Sequence, residues 1–585
     1  MLFALVVFSL LLQLPNTDDN LSSQRKAIEY LQKQGITVTV NYAIDQVINI
    51  IDITVDKDIS EYLPSLNAKI IPETVFQATV FKTERLKNGF TNKIIHKVTS
   101  VSKVRRDMNL SGAGVKIGII DSGIDDTHPE FSDRDIICRD YTIDKDCKDY
   151  SGHGTHVAGI AAGRTVGVAN KAGLTSYKVF KDNQCNLLQL LLALNQAFVD
   201  GMNIINLSLT AEGDGLRVLD QVISTITKAG IIVVAANGND PKGFFKAGYP
   251  ATSQNAISVA STDNVRVATL YSINDLPYLG KPILFLTKVM SFEKVIGYLP
   301  PRTGIVFLNM NPQRAIRFAK SYANAEIVFQ CVKDYPTTDP SSHVADLHVV
   351  YMLKANCLKL LKITNIEVSV TPEFYQIEIP TKMSYFNSIG PFKTDLKPEI
   401  SAPGSDVVSA WPNALSQDGN NFRSSSGSSM ATPYISGCAA LYLQHGGTIF
   451  KHVLLNTATL LNNHPIQQGA GFVNMQRLME TKHGVYPYKM INKDQDFTIA
   501  NEYHKWVMYD IRIGNYKGVN NLEQEVDTPL EYVIEPNFVT VGVNGKGYFS
   551  VKMRTNNLFY GGYIQLVPRV ITDATPILHI PFIVQ

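Results

Sequence analysis

A serine at the start of an apolar, helix-like segment is the first residue whose position suggests chemistry. Ser429 lies in the stretch GSSMATP, residues 427–433, and small or apolar residues follow it over 434–441. This pattern predicts a tight turn leading into a buried helix. The unpaired N–H groups and the positive dipole end of a helix N-terminus stabilise a developing anion, so a serine placed there could form an acyl-enzyme. Taken alone, Ser429 could equally be an ordinary helix cap.

Two further stretches supply the groups that a nucleophilic serine needs. Asp121 ends the apolar run KIGIID, residues 116–121, which is typical of a buried strand with a carboxylate at its end. His153 stands between two glycines in SGHGTHVAG, residues 151–159, at the start of a second small-residue helix. Because Asp, His and Ser occur together, we expect a nucleophile, a general base and a group that orients the base.

The three stretches, in the chain order Asp, His, Ser, resemble the subtilisin-like serine peptidases, or subtilases. The resemblance implies that Ser429 attacks the scissile carbonyl, that His153 transfers the proton and that Asp121 orients the imidazole. Ser428 is a rival nucleophile, but the family's reactive serine directly precedes a methionine, which selects Ser429. His156, one helical turn after His153, is expected to be a packed neighbour and not a second base.

The same resemblance implies an oxyanion donor and a substrate-binding set. Asn239 is the expected donor, and Asn237 is the alternative. The expected substrate-binding residues are Ser208, Leu209, Thr210, Gly238 and Gly248. The two glycines predict a deep S1 pocket that prefers a large apolar residue before the cut, although Thr210 stands where the family commonly has Gly and could narrow one wall. Glu212 and Asp214 could instead attract a basic residue.

Strands that alternate with helices must position these side chains. Buried strand-like runs occur at 116–121, 175–180, 202–209 and 231–236, with a helix-like stretch at 187–199. This alternation predicts an α/β fold, a subtilisin-like parallel sheet with helices on both faces and the site at the C-terminal strand ends.

The chain is too long for one core, and its pattern changes along its length. Residues 1–16 predict a signal peptide, with a short interfacial anchor as the alternative. Residues 17–100 predict a small α+β domain that resembles the family's inhibitory propeptide, with an unrelated binding domain as the alternative. Processing is expected in a polar linker over Asn88–Lys103.

The subtilase catalytic domain is expected over 101–480. Within it, residues 270–380 are expected to form an insert that resembles a mostly β protease-associated domain. Its strand-like runs are at 283–286, 304–308, 325–329 and 347–351, and a helix-like piece is at 313–322. Residues 481–585 show short alternating strands and predict a β-sandwich similar to a fibronectin type III domain.

The composition indicates neither a nucleic-acid partner nor a membrane span. The formal net charge is +2, no basic cluster occurs, and no later apolar run is long enough to cross a bilayer. Among the six cysteines, Cys138 and Cys147 are close, and Cys331 and Cys357 share one segment, so one or two disulfides are expected in an oxidising compartment. No carboxylate spacing indicates a metal, and no cofactor is expected.

These observations lead to one expectation with two alternatives. The protein is expected to be a secreted serine endopeptidase, made as a zymogen, that acts on proteins or peptides and is inhibited by its own propeptide. The alternatives are a catalytically silent, protein-binding relative and a non-peptidase serine hydrolase. The second usually carries its nucleophile in G-x-S-x-G, a pattern that residues 427–431 break at their last position.

Overall fold

A computed structural model gives the arrangement of the chain. The structure describes residues 8–72, 74–78, 82–85, 92–211, 217–273, 276–282, 290–293, 305–308, 327–332, 348–353, 365–393, 395–416, 419–491, 493–502, 505–519, 525–526, 529–555, 559–570 and 575–584.

The N-terminal part forms an antiparallel sheet covered by a helix. The sheet order is β2-β3-β1-β4, and one small core joins the sheet to α1 through Leu12, Leu31 and Ile53. The elements up to the catalytic domain are β1 (Phe8–Gln13), α1 (Asn20–Lys33), β2 (Val38–Ile44), β3 (Ile50–Val55), α2 (Leu63–Leu66), β4 (Lys69–Ile70), β5 (Val75–Ala78), β6 (Lys82–Arg85), α3 (Lys93–Val98) and α4 (Val101–Asp107).

The first strand of this sheet lies within the range predicted as a signal peptide. Strand β1 lies between β3 and β4, with Leu12 opposite both Ile51 and Ile70, and the side chains of Leu12 and Leu14 are buried. A separate signal peptide over residues 1–16 does not account for this packing. The apolar run works here as an inner strand of the N-terminal domain, because its alternate side chains fill that domain's core.

The region predicted as a linker is also part of a core. Helices α3 and α4 bury Ile95, Val101 and Val104 in the main core of the catalytic domain. Asn92, just before α3, donates hydrogen bonds of 2.9 Å to the backbone oxygens of Val166 and Val408. The prediction of a linker over Asn88–Lys103 is therefore wrong from residue 92 onward, and residues 88–91 lie outside the described part.

A seven-stranded parallel sheet forms the centre of the molecule and confirms the predicted α/β class. Its order is β21-β14-β13-β11-β7-β9-β8. Its elements up to the insert are β7 (Lys116–Asp121), β8 (Ile137–Asp140), α5 (His153–Ala162), β9 (Gly173–Lys178), β10 (Gln184–Asn186), α6 (Leu187–Val199), β11 (Ile204–Leu207), β12 (Leu209–Thr210), α7 (Arg217–Lys228), β13 (Ile232–Ala236) and β14 (Ile257–Ile273).

The insert leaves the sheet along β14 and returns along its antiparallel partner β20. Strands β17, β18 and β19 are parallel neighbours, and β15 joins β19 to β14. Several predicted strands are confirmed, whereas the predicted strand 283–286 and helix 313–322 lie outside the described residues. The strands are β15 (Leu276–Pro282), β16 (Met290–Glu293), β17 (Ile305–Leu308), β18 (Ile327–Val332), β19 (His348–Leu353) and β20 (Asn365–Met383).

Helices cover both faces of the parallel sheet. Side chains alternate along each strand, so Ile204 packs toward α5 and α8 on one face and Ile205 packs toward α6 and α7 on the other. The elements after the insert are β21 (Ile400–Pro403), β22 (Val407–Ala410), β23 (Phe422–Ser426), α8 (Ser428–Gln444), α9 (Phe450–Asn456), α10 (Pro465–Gln468) and α11 (Met475–Glu480).

Two antiparallel sheets make up the C-terminal region and share one apolar core. One sheet has the order β24-β25-β30-β28, and the other has the order β27-β26-β31-β32 with β29 beside β26. The strands are β24 (His483–Tyr486), β25 (Asp494–Asn501), β26 (Val507–Val519), β27 (Glu525–Val526), β28 (Glu531–Glu535), β29 (Phe538–Val541), β30 (Lys546–Arg554), β31 (Phe559–Pro568) and β32 (Leu578–Val584).

Candidate active site

Three neighbouring parallel strands bring the predicted polar residues to one edge of the sheet. Strands β13, β11 and β7 are adjacent, and Asn239, Ser208 and Asp121 stand at or just beyond their C-terminal ends. The carboxyl ends of parallel strands meet at one edge, where the crevice of an open α/β sheet forms. The predicted placement of the site at this edge agrees with the structure.

Asp121 and His153 form a buried hydrogen-bonded pair. The His153 Nδ1 atom lies 2.6 Å from Asp121 Oδ1, and the two side chains are 4% and 1% exposed. Since Nδ1 donates to the carboxylate, the lone pair of the neutral ring lies on Nε2, and no described residue forms a hydrogen bond with Nε2. The imidazole is therefore held in the tautomer that a general base requires.

Steric clashes explain why glycine stands on both sides of His153. Gly152 has a φ of +84°, and a Cβ there would lie 2.6 Å from the Trp411 ring. A Cβ on Gly154 would lie 2.2 Å from the backbone oxygen of Gly123. Larger residues would push the start of α5 away from the loop after β7, and hence His153 away from Asp121.

Ser429 is the second residue of α8 and is fully buried. Its Oγ donates a 3.0 Å hydrogen bond to the backbone oxygen of Ser208, and Ser208 Oγ donates back to the Ser429 backbone oxygen at 2.9 Å. This reciprocal pair fixes the helix start at the end of β11. In this state the hydroxyl donates to Ser208 O and not to His153 Nε2.

Ser428, the rival nucleophile, has its hydroxyl in a different contact. Its Oγ accepts a 3.2 Å hydrogen bond from the Gly238 N–H, and its backbone N–H donates to Asn239 Oδ1 at 2.9 Å. The Ser428 side chain therefore connects α8 to the loop after β13. These contacts favour Ser429 as the reactive serine.

The two candidate asparagines also differ in their contacts. Asn237 is fully buried, and its amide donates to Ser388 O at 2.8 Å and accepts from Ser258 Oγ at 2.9 Å. Asn239 contacts the start of α8 through the Ser428 N–H. Asn239 is thus the one beside the serine, whereas Asn237 connects the strand to the core.

His156 is a packed neighbour, as expected. Its Nε2 lies 3.1 Å from the Arg423 backbone oxygen, and its ring meets Trp411 edge to face. Burial lowers the pKa of His156 to about 3, so the ring is neutral at physiological pH. A ring with so low a pKa is a weak base, and its Nε2 is already hydrogen-bonded to the Arg423 backbone, so His156 is not expected to replace His153.

Sequence reasoning missed Asp149, which joins the loops that carry Asp121 and His153. Its carboxylate accepts from the backbone N–H groups of 151, 152 and 155 at 3.1, 2.8 and 2.9 Å and from Thr155 Oγ1 at 2.6 Å. Ser122 Oγ also donates to it at 2.8 Å. An aspartate shortly before a glycine-flanked histidine is the signal that could have suggested this capping role.

An N-terminal segment occupies the groove beside these residues. Strand β5 runs antiparallel between β10 and β12, with Phe76 opposite Cys185 and Gln77 opposite Thr210. The Phe76 side chain is fully buried in the core formed with α6 and α7. Strand β5 therefore lies in the groove as an added strand, in the manner of an extended peptide ligand.

The chain then continues past the candidate nucleophile. Strand β6 pairs antiparallel with β23, and Lys82 is opposite Ser426, three residues before Ser429. Residues 79–81, which connect β5 to β6, lie outside the described residues. The strand before this connection thus pairs with β12, directly after Ser208, and the strand after it pairs with β23, which leads into α8.

Thr210 and Gly248, both predicted to line the specificity pocket, are neighbours in the structure. Leu209 and Thr210 form β12, as expected for a strand beside the ligand, but the Thr210 side chain packs on Gly248, where a Cβ would lie 2.9 Å from Thr210 Cβ. A Cβ on Gly238 would meet Ser388 Oγ at 2.6 Å. A deep pocket at these glycines stays a prediction. Glu212 and Asp214 lie outside the described residues.

The disulfide prediction is confirmed in part. Cys138 and Cys147 are bonded, and Cys185 and Cys438 are buried free thiols. The second predicted pair, Cys331 and Cys357, falls on side chains outside the described part.

Sequence comparison identifies the family. The profile of the family described as "Subtilase family" (Peptidase_S8) matches residues 112–476, more than half of the chain. The chain belongs to the subtilase family. Members of this family are serine-type endopeptidases, and the matched range includes all the positions discussed at this strand edge.

Individual relatives agree with this assignment. The chain is 26% identical over 470 residues to the minor extracellular protease Vpr of Bacillus subtilis (strain 168), which covers 68% of this chain and 56% of Vpr. It is 28% identical over 241 residues to a subtilisin of Bacillus sp. (strain TA39), covering 37% and 56%. It is 36% identical over 156 residues to subtilisin-like protease 2 of Arthroderma benhamiae, covering 26% and 37%. This subtilase thus spans about half, or less, of the length of these relatives.

Neither a membrane-spanning helix nor a metal cluster occurs among the described residues. Within the ranges that the structure covers, no helix is long and apolar enough to cross a membrane. In the same ranges, no group of three His, Cys, Asp or Glu side chains is arranged to hold a metal ion.

Proposed function

We propose that this subtilase is a serine endopeptidase in which Ser429, His153 and Asp121 form the catalytic triad. The observation that carries the proposal is the 2.6 Å hydrogen bond between His153 and Asp121, at the same sheet edge as a serine in the first turn of a buried helix. Proteins or peptides are the proposed substrates. The names of the similar proteins, three proteases among them, support this class of substrate.

The proposed reaction begins when the Ser429 hydroxyl turns from Ser208 O to His153 Nε2. His153 removes the proton while Ser429 Oγ bonds to the scissile carbonyl carbon, and the carbonyl oxygen becomes an oxyanion. Asp121 stabilises the imidazolium that forms. His153 then gives the proton to the leaving amine, and water hydrolyses the acyl-enzyme by the same steps in reverse order.

Asn239 is the proposed side-chain donor to the oxyanion. Its amide contacts the first turn of α8 through Ser428, which supports a position next to the reacting carbonyl. The N-terminus of a helix also favours a developing anion, and Asn239 lies at the start of α8. Substrate is proposed to extend along Ser208, Leu209 and Thr210, because β5 already pairs with β12 there.

The N-terminal domain is proposed to be an inhibitory propeptide. Strand β5 fills the groove between β10 and β12, and the buried Phe76 side chain anchors it, so no substrate can add a strand at the same place. We further propose that the enzyme cuts its own chain between Ala78 and Lys82. This range follows from the described strands on both sides of the nucleophile, β5 in the groove and β6 on β23.

The remaining domains and the location are also proposals. Residues 270–380 are proposed as a protease-associated-like insert, and residues 481–585 as a fibronectin type III-like β-sandwich. Action outside the cell is proposed because the relative Vpr is named an extracellular protease and because Cys138 and Cys147 form a disulfide, which persists in oxidising compartments. A signal peptide remains a prediction that the packing of β1 does not support.

The test of the activity uses Ser429→Ala beside Ser428→Ala. Full-length wild type, both variants and a casein substrate are incubated, and each protein is treated with a fluorophosphonate probe. We expect wild type and Ser428→Ala to be labelled and to digest casein, and Ser429→Ala to do neither while keeping its circular dichroism spectrum.

The other outcomes identify the alternatives. Labelling of Ser429 without casein digestion would indicate a non-peptidase serine hydrolase. Absence of labelling in folded wild type would indicate a catalytically silent relative. N-terminal sequencing of the active wild-type protein tests the processing proposal, which requires a new terminus within residues 79–82.

A further inference from the structure

We propose that one end of the C-terminal region binds the surface of an anionic lipid bilayer. Three exposed apolar side chains, Trp506, Val543 and Val570, form this end, and we call them the apolar tip. Two exposed lysines, Lys505 and Lys546, stand beside the tip in the sequence. The proposal goes beyond the peptidase function and does not depend on it.

The first two members of the tip come from neighbouring strands. Strand β26 runs between β29 and β31, and its first residue, Val507, pairs with Val541, the last residue of β29. Trp506 precedes this pair and Gly542 follows it, so these two residues stand opposite each other. A Cβ built on Gly542 would lie 3.4 Å from the Trp506 ring. Val543 is the next residue of the same turn and therefore lies at the same end of the strands.

Val570 reaches this end from the other side of β26. The Arg569 N–H, just after β31, donates a 3.0 Å hydrogen bond to the Met508 backbone oxygen, and Val570 is the next residue. The buried Asn501 side chain also donates to the Gly542 backbone oxygen at 2.8 Å. Because these bonds fix the backbone on both sides of β26, the three apolar side chains are held together at one end.

The tip side chains protrude into solvent. Val570 is 73% exposed, Trp506 is 68% exposed and Val543 is 45% exposed. Single exposed apolar residues are ordinary, but a group of them marks an interaction surface. Side chains exposed by two thirds or more form separate projections and not a flat patch. Such projections fit a fluid lipid interface, where each one can insert by itself and where tryptophan is enriched.

The charges around the tip are complementary to an anionic surface. Lys505 and Lys546 are both exposed, and lysines near an anionic bilayer are attracted to its surface while their apolar stems cover acyl chains. Arg569 contributes little net charge, because Asp510 lies 3.5 Å from it. The exposed Glu502 opposes the two lysines and leaves the end with a net positive charge.

The experiment measures vesicle binding of the full-length Ser429→Ala chain, which avoids self-digestion. Co-sedimentation compares vesicles of phosphatidylcholine alone with vesicles of phosphatidylcholine and phosphatidylglycerol in equal parts. We expect at least about tenfold tighter binding to the mixed vesicles, since two lysine charges contribute there, and a loss of this preference at high salt. Emission from Trp506, one of two tryptophans in the chain, should shift to shorter wavelength on the mixed vesicles.

Substitutions at the tip identify the surface that binds. Trp506→Ser and Val570→Ser should each weaken binding to mixed vesicles at least about tenfold, because each removes one large apolar side chain from the lipid phase. The double variant Lys505→Glu/Lys546→Glu should lose the preference for mixed vesicles. Tyr532→Ser is the matched control and should bind like the parent. Tyr532 is exposed on β28, near the end of β30 that lies away from the tip.

Three results would overturn the proposal. They are no binding of the parent to either vesicle, equal binding to both, or binding that the tip variants leave unchanged. A dimer in sedimentation velocity that Trp506→Ser dissolves, without vesicle binding, would assign the tip to a second copy of the chain. Urea unfolding shows whether each variant folds, and Val570→Ser and the double lysine variant decide the question if Trp506→Ser does not. Failure of the peptidase proposal leaves this test unchanged, because vesicle binding requires no cleavage.

Discussion

The Ser122 hydroxyl lies 2.8 Å from the Asp149 carboxylate, to which it donates, and it accepts a 2.8 Å hydrogen bond from the Gly154 N–H. This one side chain therefore joins the residue after Asp121 to the residue after His153. Burial raises the pKa of Asp149, and five hydrogen-bond donors around it oppose that effect.

We expect Asp149→Asn to lower kcat by about 10–100-fold with a much smaller change in KM. An amide in this place has only one acceptor oxygen and brings its own donors toward backbone N–H groups, so the start of α5 should shift. Displacement of a catalytic group by about 1 Å can cost about a hundredfold in rate. Steady-state kinetics of the titrated enzyme, with the exposed Asp135→Asn as control, measure the effect. A normal kcat in the titratable fraction would mean that Asp149 serves folding alone.

A second prediction concerns Asn239. Replacement by alanine should lower kcat by about 10²–10³ with little change in KM, because the amide donates mainly once the carbonyl oxygen is an oxyanion; the figure comes from the family relative subtilisin. The matched variant is Asn237→Ala, whose amide is engaged with Ser388 and Ser258. For Asn237→Ala we expect a loss of thermal stability as the main effect, and not the large loss of kcat. Equal kcat losses with equal stability would remove the distinction between the two residues.

Much of the site could be predicted from the sequence because short stretches determine it. Asp121 ends an apolar strand, His153 stands between glycines, and Ser429 begins a buried helix, so each is recognisable without tertiary information. The parallel sheet was likewise visible in the alternation of strands and helices. Local pattern and local structure agree at these positions.

Sequence patterns say less where distant segments decide the outcome. The apolar run before Gln13 is typical of a signal peptide, whereas the strand partners of Leu12, Ile51 and Ile70, lie far along the chain. The neighbour of Gly248 is Thr210, nearly forty residues earlier, which the sequence around Gly248 does not indicate. Asp149 was missed because its role depends on hydrogen bonds to two loops that only the folded chain brings together.

The third prediction tests the anchoring of the groove segment. Phe76→Ala should weaken inhibition by the N-terminal domain at least about a hundredfold, since truncation of a buried phenylalanine costs about 3–5 kcal/mol. The inhibition constant of the processed, noncovalent complex is measured from the activity recovered on dilution. Gln77→Ala is the matched control, because Gln77 is the next residue of the same strand and is exposed. If both variants inhibit like wild type, β5 does not anchor the domain.

The last prediction concerns a buried cluster of charged side chains around Glu399, the residue directly before β21. Glu399 is 1% exposed and lies 2.9 Å from Lys451, 3.2 Å from Lys489 and 3.6 Å from Lys397. Burial alone would raise the pKa of Glu399, but the three lysine charges outweigh burial and lower the pKa to about 2. The carboxylate is therefore stabilised in the folded state relative to the unfolded chain, where the ordinary pKa is 4.5.

The sign of the pH dependence follows from this lowered pKa. The stabilisation is fully present above about pH 4.5 and is lost as the pH falls toward 2, because the folded state must then take up a proton that it binds weakly. Glu399→Gln removes the carboxylate beside Lys397 and Lys451 and one of the two beside Lys489, which keeps Asp395. This loss should cost about 3–5 kcal/mol at pH 7. The difference from the parent should shrink as the pH falls from 4.5 to 2.

Urea unfolding of the Ser429→Ala protein, with and without Glu399→Gln, measures this difference and avoids self-digestion. The exposed Glu531→Gln is the control, and it should change the unfolding free energy by less than about 0.5 kcal/mol at every pH. A Glu399→Gln effect that stays constant between pH 7 and pH 2 would show that the lysine charges do not stabilise this carboxylate. An effect that is constant above pH 4.5 and shrinks between pH 4.5 and pH 2 would support the lowered pKa of Glu399.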